Sequence, residues 1–236
     1  MTRRRWIADE VSGNRAALTG HHAQHLSRVL RARVGQMFDI ATGTTVRQGV
    51  VVTVSDSRVE FELGEECANE APPVITLALA IFKFDRMEWA IEKATELGVA
   101  RIIPVIAQRT EAHLAAAAPK RVARWQRIAK QASEQSRRAR PPEIDPPVKL
   151  KELVEFPAPG RLILSELENN VMLKDALNAP AEPLILAIGP EGGWTAAEIE
   201  LFRIAGWTSA SLGQTILRAE TAAIAAVAVI LSELHK

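Results

Sequence analysis

Hydrophobic and polar positions follow two different patterns along this chain, and the change comes near residue 70. In the first part, "MFDIATG", "RQGVVVTVSD" and "RVEFELGEE" are short runs rich in Val, Ile and Phe, closed by Gly, Asp and Ser, and they predict strands. Alongside them, "TGHHAQHLSRVLRARVG" brings Leu26, Val29 and Leu30 onto one face and predicts a short helix. Together these elements predict a small barrel-like domain over residues 1–70. "ECANEAPPV" then reads as a linker stiffened by Pro72 and Pro73.

From residue 73 to 236 the pattern alternates between strand and helix. "VITLALAIF", "VARIIPVI", "RLILSE", "PLILAIG" and "WTSASLG" are strand candidates. "DRMEWAIEKATELG" is amphipathic, with Met87, Ala90, Ile91, Ala94 and Leu97 inward and Gly98 as its stop. "APKRVARWQRIAKQASEQSRR" predicts a long helix with Pro119 in its first turn. "NVMLKDAL", "TAAEIELFRIAG" and "ETAAIAAVAVILSELHK" predict three more, while "HLAAAAPK" reads only as an alanine run. Continuous apolar strands between helices imply an α/β fold around a mostly parallel sheet.

The 236 residues, 47% hydrophobic and 24% charged, are an ordinary globular composition with enough apolar surface for a real core. The single cysteine, Cys67, excludes an internal disulfide and a cysteine zinc site and fits a reducing, cytoplasmic setting. "MTRRRWIADE" has arginines with no apolar run behind them and does not read as a secretory signal.

Two loops change this picture. "IGPEGGWTAAE" follows a strand and precedes a helix whose start is marked by the capping box Thr195 to Glu198. The carboxyl ends of parallel strands are where open α/β sheets bind ligands. Gly192 and Gly193 would let a ligand approach the backbone. Alone, the stretch is equally a tight connection. "LGQTILRAETAA" has the same strand-to-helix setting, and Leu212, Ile216 and Leu217 can wall an apolar site. Arg218 and Glu220 bracket the start of the last helix; a surface pair is the usual fate of such residues, but a charged pair beside two glycine loops points toward function. Neither a Walker loop nor the Rossmann glycine spacing is present, which argues against a nucleotide-binding enzyme.

Lys and Arg total 29 against 28 Asp and Glu, so the charge balance itself is uninformative. Its distribution is not: Lys120, Arg121, Arg124, Arg127, Lys130, Arg137, Arg138 and Arg140 make a basic stripe, and the first domain adds Arg3, Arg4, Arg5, Arg28, Arg31 and Arg33. Segregated positive charge points to a polyanion such as nucleic acid. His21, His22 and His25 lack an acidic or thiol neighbour in sequence, so no metal is expected and a surface or RNA-contacting role is preferred. The scattered tryptophans are expected to serve packing.

The three stretches "DRMEWAIEKATELGV", "IGPEGGWTAAEIE" and "LGQTILRAETA", in this order behind a small β-rich domain, resemble the RsmE family. Its members are SPOUT-superfamily enzymes that methylate a uridine of 16S ribosomal RNA at N3, and the resemblance spans nearly the whole chain. It implies a PUA-like RNA-binding β-barrel domain at residues 1–70 and a methyltransferase domain with a C-terminal trefoil knot at 73–236, a topology that general folding rules disfavour. It implies S-adenosyl-L-methionine as cofactor, a homodimer, and the small ribosomal subunit as partner. The implied cofactor residues are Leu164, Glu166, Gly189, Pro190, Gly192, Gly193, Leu212, Gly213, Ile216 and Leu217. Arg218 is the candidate for stabilising the uracil anion, and Glu220 for orienting Arg218 or accepting the proton. Arg3, Arg5, Arg28, Arg31, Arg33, Arg86 and Arg137 are the RNA-contacting candidates. Two positions depart from the family pattern: Arg137 stands in "EQSRR" where a glycine is common, and Thr215 where an arginine is common. The competing readings are a SPOUT methyltransferase acting on tRNA or a ribose 2′-hydroxyl, and a non-catalytic RNA-binding assembly factor.

Overall fold

The structure is a computed structural model that describes residues 5–43, 45–67, 74–136, 138–177 and 182–234. Pro72 and Pro73 of the linker, with Arg3, Arg4 and Arg137, lie outside the described residues. The chain divides into two compact units: Met1–Ala71 together with Ser133–Pro141, and Pro72–Ala132 together with Pro142–Lys236. The return of residues 133–141 to the first unit has no signature in the hydrophobic pattern.

The first unit is built on a six-stranded sheet in the order β1-β4-β5-β6-β3-β2. Its strands are β1 (Arg5–Ile7), β2 (Glu10–Ser12), β3 (Arg15–Thr19), β4 (Met37–Ala41), β5 (Val46–Val54) and β6 (Arg58–Glu66). β1 runs parallel to β4 and the remaining pairs are antiparallel. The period-two alternation expected for "RVEFELGEE" places Val59, Phe61 and Leu63 in the core with Leu18, Leu26, Phe38 and Ile40. The helical stretch is α1 (Gly20–Gln24), which runs into a π-helical turn at His25–Val29. There Leu30 N donates to His25 O, a five-residue step that brings Leu26 and Leu30 toward one face. Val29, expected inward, is therefore turned out and is 65% exposed.

The second unit carries a parallel sheet in the order β10-β8-β7-β12-β11-β13, with β9 also paired to β8. Its elements are β7 (Ile75–Ala80), α2 (Phe84–Glu96), β8 (Arg101–Ile106), α3 (Ala112–Ala117), α4 (Val122–Gln135), β9 (Glu143–Ile144), β10 (Val148–Lys149), α5 (Leu150–Leu153), β11 (Gly160–Leu164), α6 (Leu173–Ala176), β12 (Leu184–Ile188), α7 (Ala196–Ile204), β13 (Thr208–Ala210) and α8 (Ala219–Leu234). Both sheet faces are covered. Ile75, Leu77 and Leu79 of β7 pack with residues of α2, α4 and α8, including the fully buried Trp125. Ala78 and Ala80 face the opposite way, toward α5, α7 and a stack of Trp194, Phe202 and Trp207 with edge-to-face ring centroids 5.1 and 4.9 Å apart.

Helix boundaries depart from the sequence reading around the basic stripe. The alanine run is helical in α3, Pro119 sits in a 3-10 turn at Ala118–Arg121, and α4 ends at Gln135 rather than Arg140. A 3-10 turn accepts proline where its missing N–H would be unpaired anyway. Among the described residues no helix is long and apolar enough to cross a membrane.

Strand order decides where a site can form. The chain lays down β7 and β8, crosses to β11 on the other side of β7, fills the gap with β12 and finishes outside with β13. The carboxyl ends of β11, β12 and β13 therefore lie side by side, and the loops that leave them share one edge.

Candidate active-site cleft

Those three loops enclose a cleft of about 840 Å³ including its open mouth. Nine of the ten candidate cofactor residues line it: Leu164 and Glu166 after β11, Gly189, Pro190 and Gly193 after β12, and Leu212, Gly213, Ile216 and Leu217 after β13. Leu164, Ile188 and Leu212 supply apolar wall, while the glycines leave backbone groups open to a ligand.

Each loop is held by a specific contact. After β11, the Ser165 hydroxyl accepts Leu167 N at 3.2 Å. After β13, the Ser211 hydroxyl accepts Gly213 N at 3.1 Å. Between them, Trp194 Nε1 donates to Leu164 O at 3.1 Å and its ring lies against Gly189, where a Cβ would come within 3.2 Å of Nε1. Gly193 has φ +69, in the left-handed region, and a Cβ there would meet Glu166 Oε1 at 2.7 Å. Glycine at 193 thus allows both the backbone turn and the close approach of Glu166. The capping box is present, with Thr195 N donating to Glu198 Oε2 at 2.8 Å.

Gly192 departs from the sequence expectation. It is outside the cleft lining and its φ is not positive; its open side faces Arg109, whose Cδ would lie 3.3 Å from a Cβ. In the turn, Pro190, Glu191 and Gly193 face the cleft and Gly192 faces away.

The charged candidates also sort differently from the sequence reading. Glu220 is buried, and its Oε1 accepts Arg86 Nη1 at 2.7 Å. It does not pair with Arg218, which is exposed and, among the described residues, makes no side-chain hydrogen bond or ion pair. Arg218 is also outside the cleft lining, although its neighbour Ala219 belongs to it. Arg86, an RNA-contact candidate in the sequence, makes links inside the second unit: it pairs with Glu220 and stands 4.0 Å from Glu191 Oε1, with Lys83 Nζ 3.9 Å from Glu191 Oε2. It therefore connects α2 to the loop after β12 and to the first turn of α8. Only contacts 134 and 105 positions apart reveal this, so no local sequence signal could have shown it.

The basic stripe is partly neutralised. Glu88 of α2 takes Arg124 through two bonds of 2.6 and 2.8 Å and lies 3.6 Å from Arg121, which also stacks over Phe84. In the first unit Arg28 pairs with Asp56 at 2.6 Å, Arg5 is engaged, and Arg31 and Arg33 are exposed. Of the histidines, His22 has acidic neighbours brought in by the fold: Nδ1 is 3.1 Å from Asp9 Oδ2 and Nε2 is 3.0 Å from Glu134 Oε1. Glu134 raises the His22 pKa above 6.5, burial opposes this, and Asp9 adds to the rise. Among the described residues no group of His, Cys, Asp and Glu is arranged to hold a metal.

Comparison with known proteins places this cleft in a family. The profile of the RNA methyltransferase domain matches residues 69–231. The ribosomal RNA small subunit methyltransferase E of Synechocystis is 35% identical, covering 89% of this chain and 71% of its own length. That of Aquifex aeolicus is 30% identical, covering 96% and 98%. The crystal structure of the Neisseria gonorrhoeae protein of the same name, bound to S-adenosyl methionine, superposes with a TM-score of 0.85 at 33% identity over 98% of both chains. With the domain profile spanning the cleft-bearing unit and these relatives spanning the rest, the chain belongs to the ribosomal RNA small subunit methyltransferase E family.

Proposed function

We propose that this chain uses S-adenosylmethionine to methylate a uridine of 16S ribosomal RNA at N3, in the small ribosomal subunit, as a cytoplasmic homodimer. The observation that carries the reading is the cleft at the ends of β11, β12 and β13, which the two glycine loops and Glu166 build together. The residues present fit the cofactor: apolar wall, open backbone at Gly189 and Gly213, and a carboxylate at Glu166 to take hydroxyl or ammonium donors. The Neisseria relative, solved with that cofactor, supports the same assignment. When bound, S-adenosylmethionine supplies an electrophilic methyl group on a sulfonium sulfur.

The chain's own residues then have three tasks. The target uracil must be unpaired or turned out of its stack, because N3 is otherwise engaged in base pairing. Arg218, exposed and uncommitted beside the cleft residue Ala219, offers a cation to the uracil carbonyls as N3 gives up its proton to solvent water. Glu220, turned to Arg86, acts as a positioning group at the start of α8 and leaves Arg218 free to move onto the base. In this reading the first unit is a PUA-like RNA-binding domain with Arg5, Arg28, Arg31 and Arg33 toward the RNA backbone. The second is a SPOUT domain with a C-terminal trefoil knot whose apolar α8 faces a partner subunit.

Methyl transfer from labelled cofactor to small subunits of a deletion strain, followed by nucleoside mass spectrometry, tests the reading. Appearance of N3-methyluridine is expected; a 2′-O-methyl product instead would overturn the atom assigned. Loss of turnover with retained cofactor affinity is expected for Arg218→Ala, and full activity in that variant would remove Arg218 from the mechanism.

A further inference from the structure

We infer that Arg109 is a positioning residue for the cofactor loop, bracing it from behind without touching the ligand. This rests on the reading of the cleft as the S-adenosylmethionine site. The loop after β12 has two faces. Gly189, Pro190, Glu191 and Gly193 line the cleft, whereas Gly192 faces the segment that follows β8. From that segment, Arg109 Nη1 donates to Gly192 O, and the Arg109 side chain runs along the glycine, with Cδ and Cβ 3.3 and 3.6 Å from where a Cβ would be. A side chain at 192 would therefore press on the brace rather than on the ligand.

The brace stands on a fixed base. Ala107 N donates to Thr110 Oγ1 at 3.2 Å, and Thr110 Oγ1 donates to Ile81 O at 3.1 Å, which ties the turn to the end of β7. The adjacent Gln108 grips the same loop farther on. Its N donates to Glu198 Oε1 at 2.7 Å, and its Oε1 accepts Thr195 Oγ1 at 2.9 Å. Glu198 is buried, and its other oxygen accepts Thr195 N. The turn after β8 thus holds the cofactor loop at Gly192, at Thr195 and at Glu198. Arg109 itself is exposed and absent from the cleft lining.

Such a brace acts on affinity through order. A ligand that binds a loop already held in place does not have to order it on binding, so the brace adds to ligand affinity while contributing little to the packed core. Losing one charge-assisted hydrogen bond at an exposed position weakens binding by about tenfold.

The test is calorimetry with S-adenosylmethionine on the full chain, paired with thermal unfolding and steady-state kinetics on small subunits. For Arg109→Ala the expected result is an approximately tenfold higher Kd and a raised KM for cofactor. The KM for the ribosomal substrate and the Tm should not change. Arg109→Lys, which keeps one cationic donor, should recover part of the affinity. Unchanged Kd in Arg109→Ala overturns the inference, as does a loss of affinity matched by a fall in Tm. A rise confined to the KM for the ribosomal substrate would also overturn it, and make Arg109 an RNA contact. Absence of wild-type binding would instead overturn the cofactor reading, and the brace with it.

Discussion

Arg86 Nη1 lies 2.7 Å from Glu220 Oε1, and this pair joins the first turn of α2 to the first turn of α8. The Glu220 side chain is 8% exposed, and its second oxygen, Oε2, is buried without a hydrogen bond among the described residues. The Glu220 carboxylate therefore depends on Arg86 for its main electrostatic compensation, helped by the α8 N-terminus. Removing one partner of such a pair leaves an uncompensated charge, while removing both does not.

Arg86→Met should accordingly destabilise the second unit by about 3 kcal/mol. Arg86→Met combined with Glu220→Gln should recover a large part of that loss. Urea unfolding of the single and double variants measures both values. Additive losses in the double variant would show that the pair carries no coupling.

The two adjacent glycines should respond differently. Gly193→Ala must hold φ +69 and displace the Glu166 carboxylate, at a cost of about 1–2 kcal/mol for the backbone conformation alone. Cofactor affinity should fall with it. Gly192→Ala meets only the flexible Arg109 stem, so its stability should stay within about 0.5 kcal/mol of wild type. Equilibrium unfolding of the two variants makes the comparison.

His22 should make the first unit's stability depend on pH. In the folded chain Glu134 and Asp9 hold its pKa above 6.5, against the opposing effect of burial, in a setting that also includes the rings of His21 and Trp6. A raised folded pKa means that the contribution is complete below the unfolded value and is lost as pH rises through the folded one. The wild-type Tm should therefore fall relative to His22→Gln as pH increases from 6.5 upward. A constant difference across that window would show that His22 is not protonated in the fold.

RNA binding should weaken with salt, and the arginines should contribute unequally. Removing one cation that neutralises a phosphate makes the slope of log K against log salt shallower by about 0.7 to 0.9. Arg31→Ala and Arg33→Ala should each produce such a step. Arg28→Ala should produce a smaller one, because Arg28 is already paired with Asp56 and must leave it to reach a phosphate. Filter binding of the small-subunit RNA across a salt series reads these slopes.

Long, strongly patterned elements were legible from residues alone. The strands around Phe61 and Leu77, the inward face of α2 at Met87, Ala90, Ile91 and Ala94, and the Thr195 capping box all follow from side-chain period and local hydrogen bonding. Short elements were not. β1, β2, β9 and β10 are two or three residues long, too short to show a period. The π-helical turn that exposes Val29 has no distinguishing pattern either, because it changes register by a single residue.

By itself, then, the sequence determined the α/β alternation, the β-rich first part, the glycine-bearing turn and the motif set that marks the family. Each of these is written in neighbouring residues, where periodicity and backbone freedom act over a few positions. The tertiary structure decided which charges meet and which way each side chain faces. It paired Arg86 with Glu220 across 134 positions, gave His22 its two carboxylates, and placed Arg109 behind Gly192. It also separated Gly193, which faces the cleft, from Gly192, which turns away. The physical reason is that proximity in space, not in sequence, sets electrostatic and hydrogen-bond partners; in the second unit strand order creates that proximity, because inserting β12 between β7 and β11 brings distant loops to one edge.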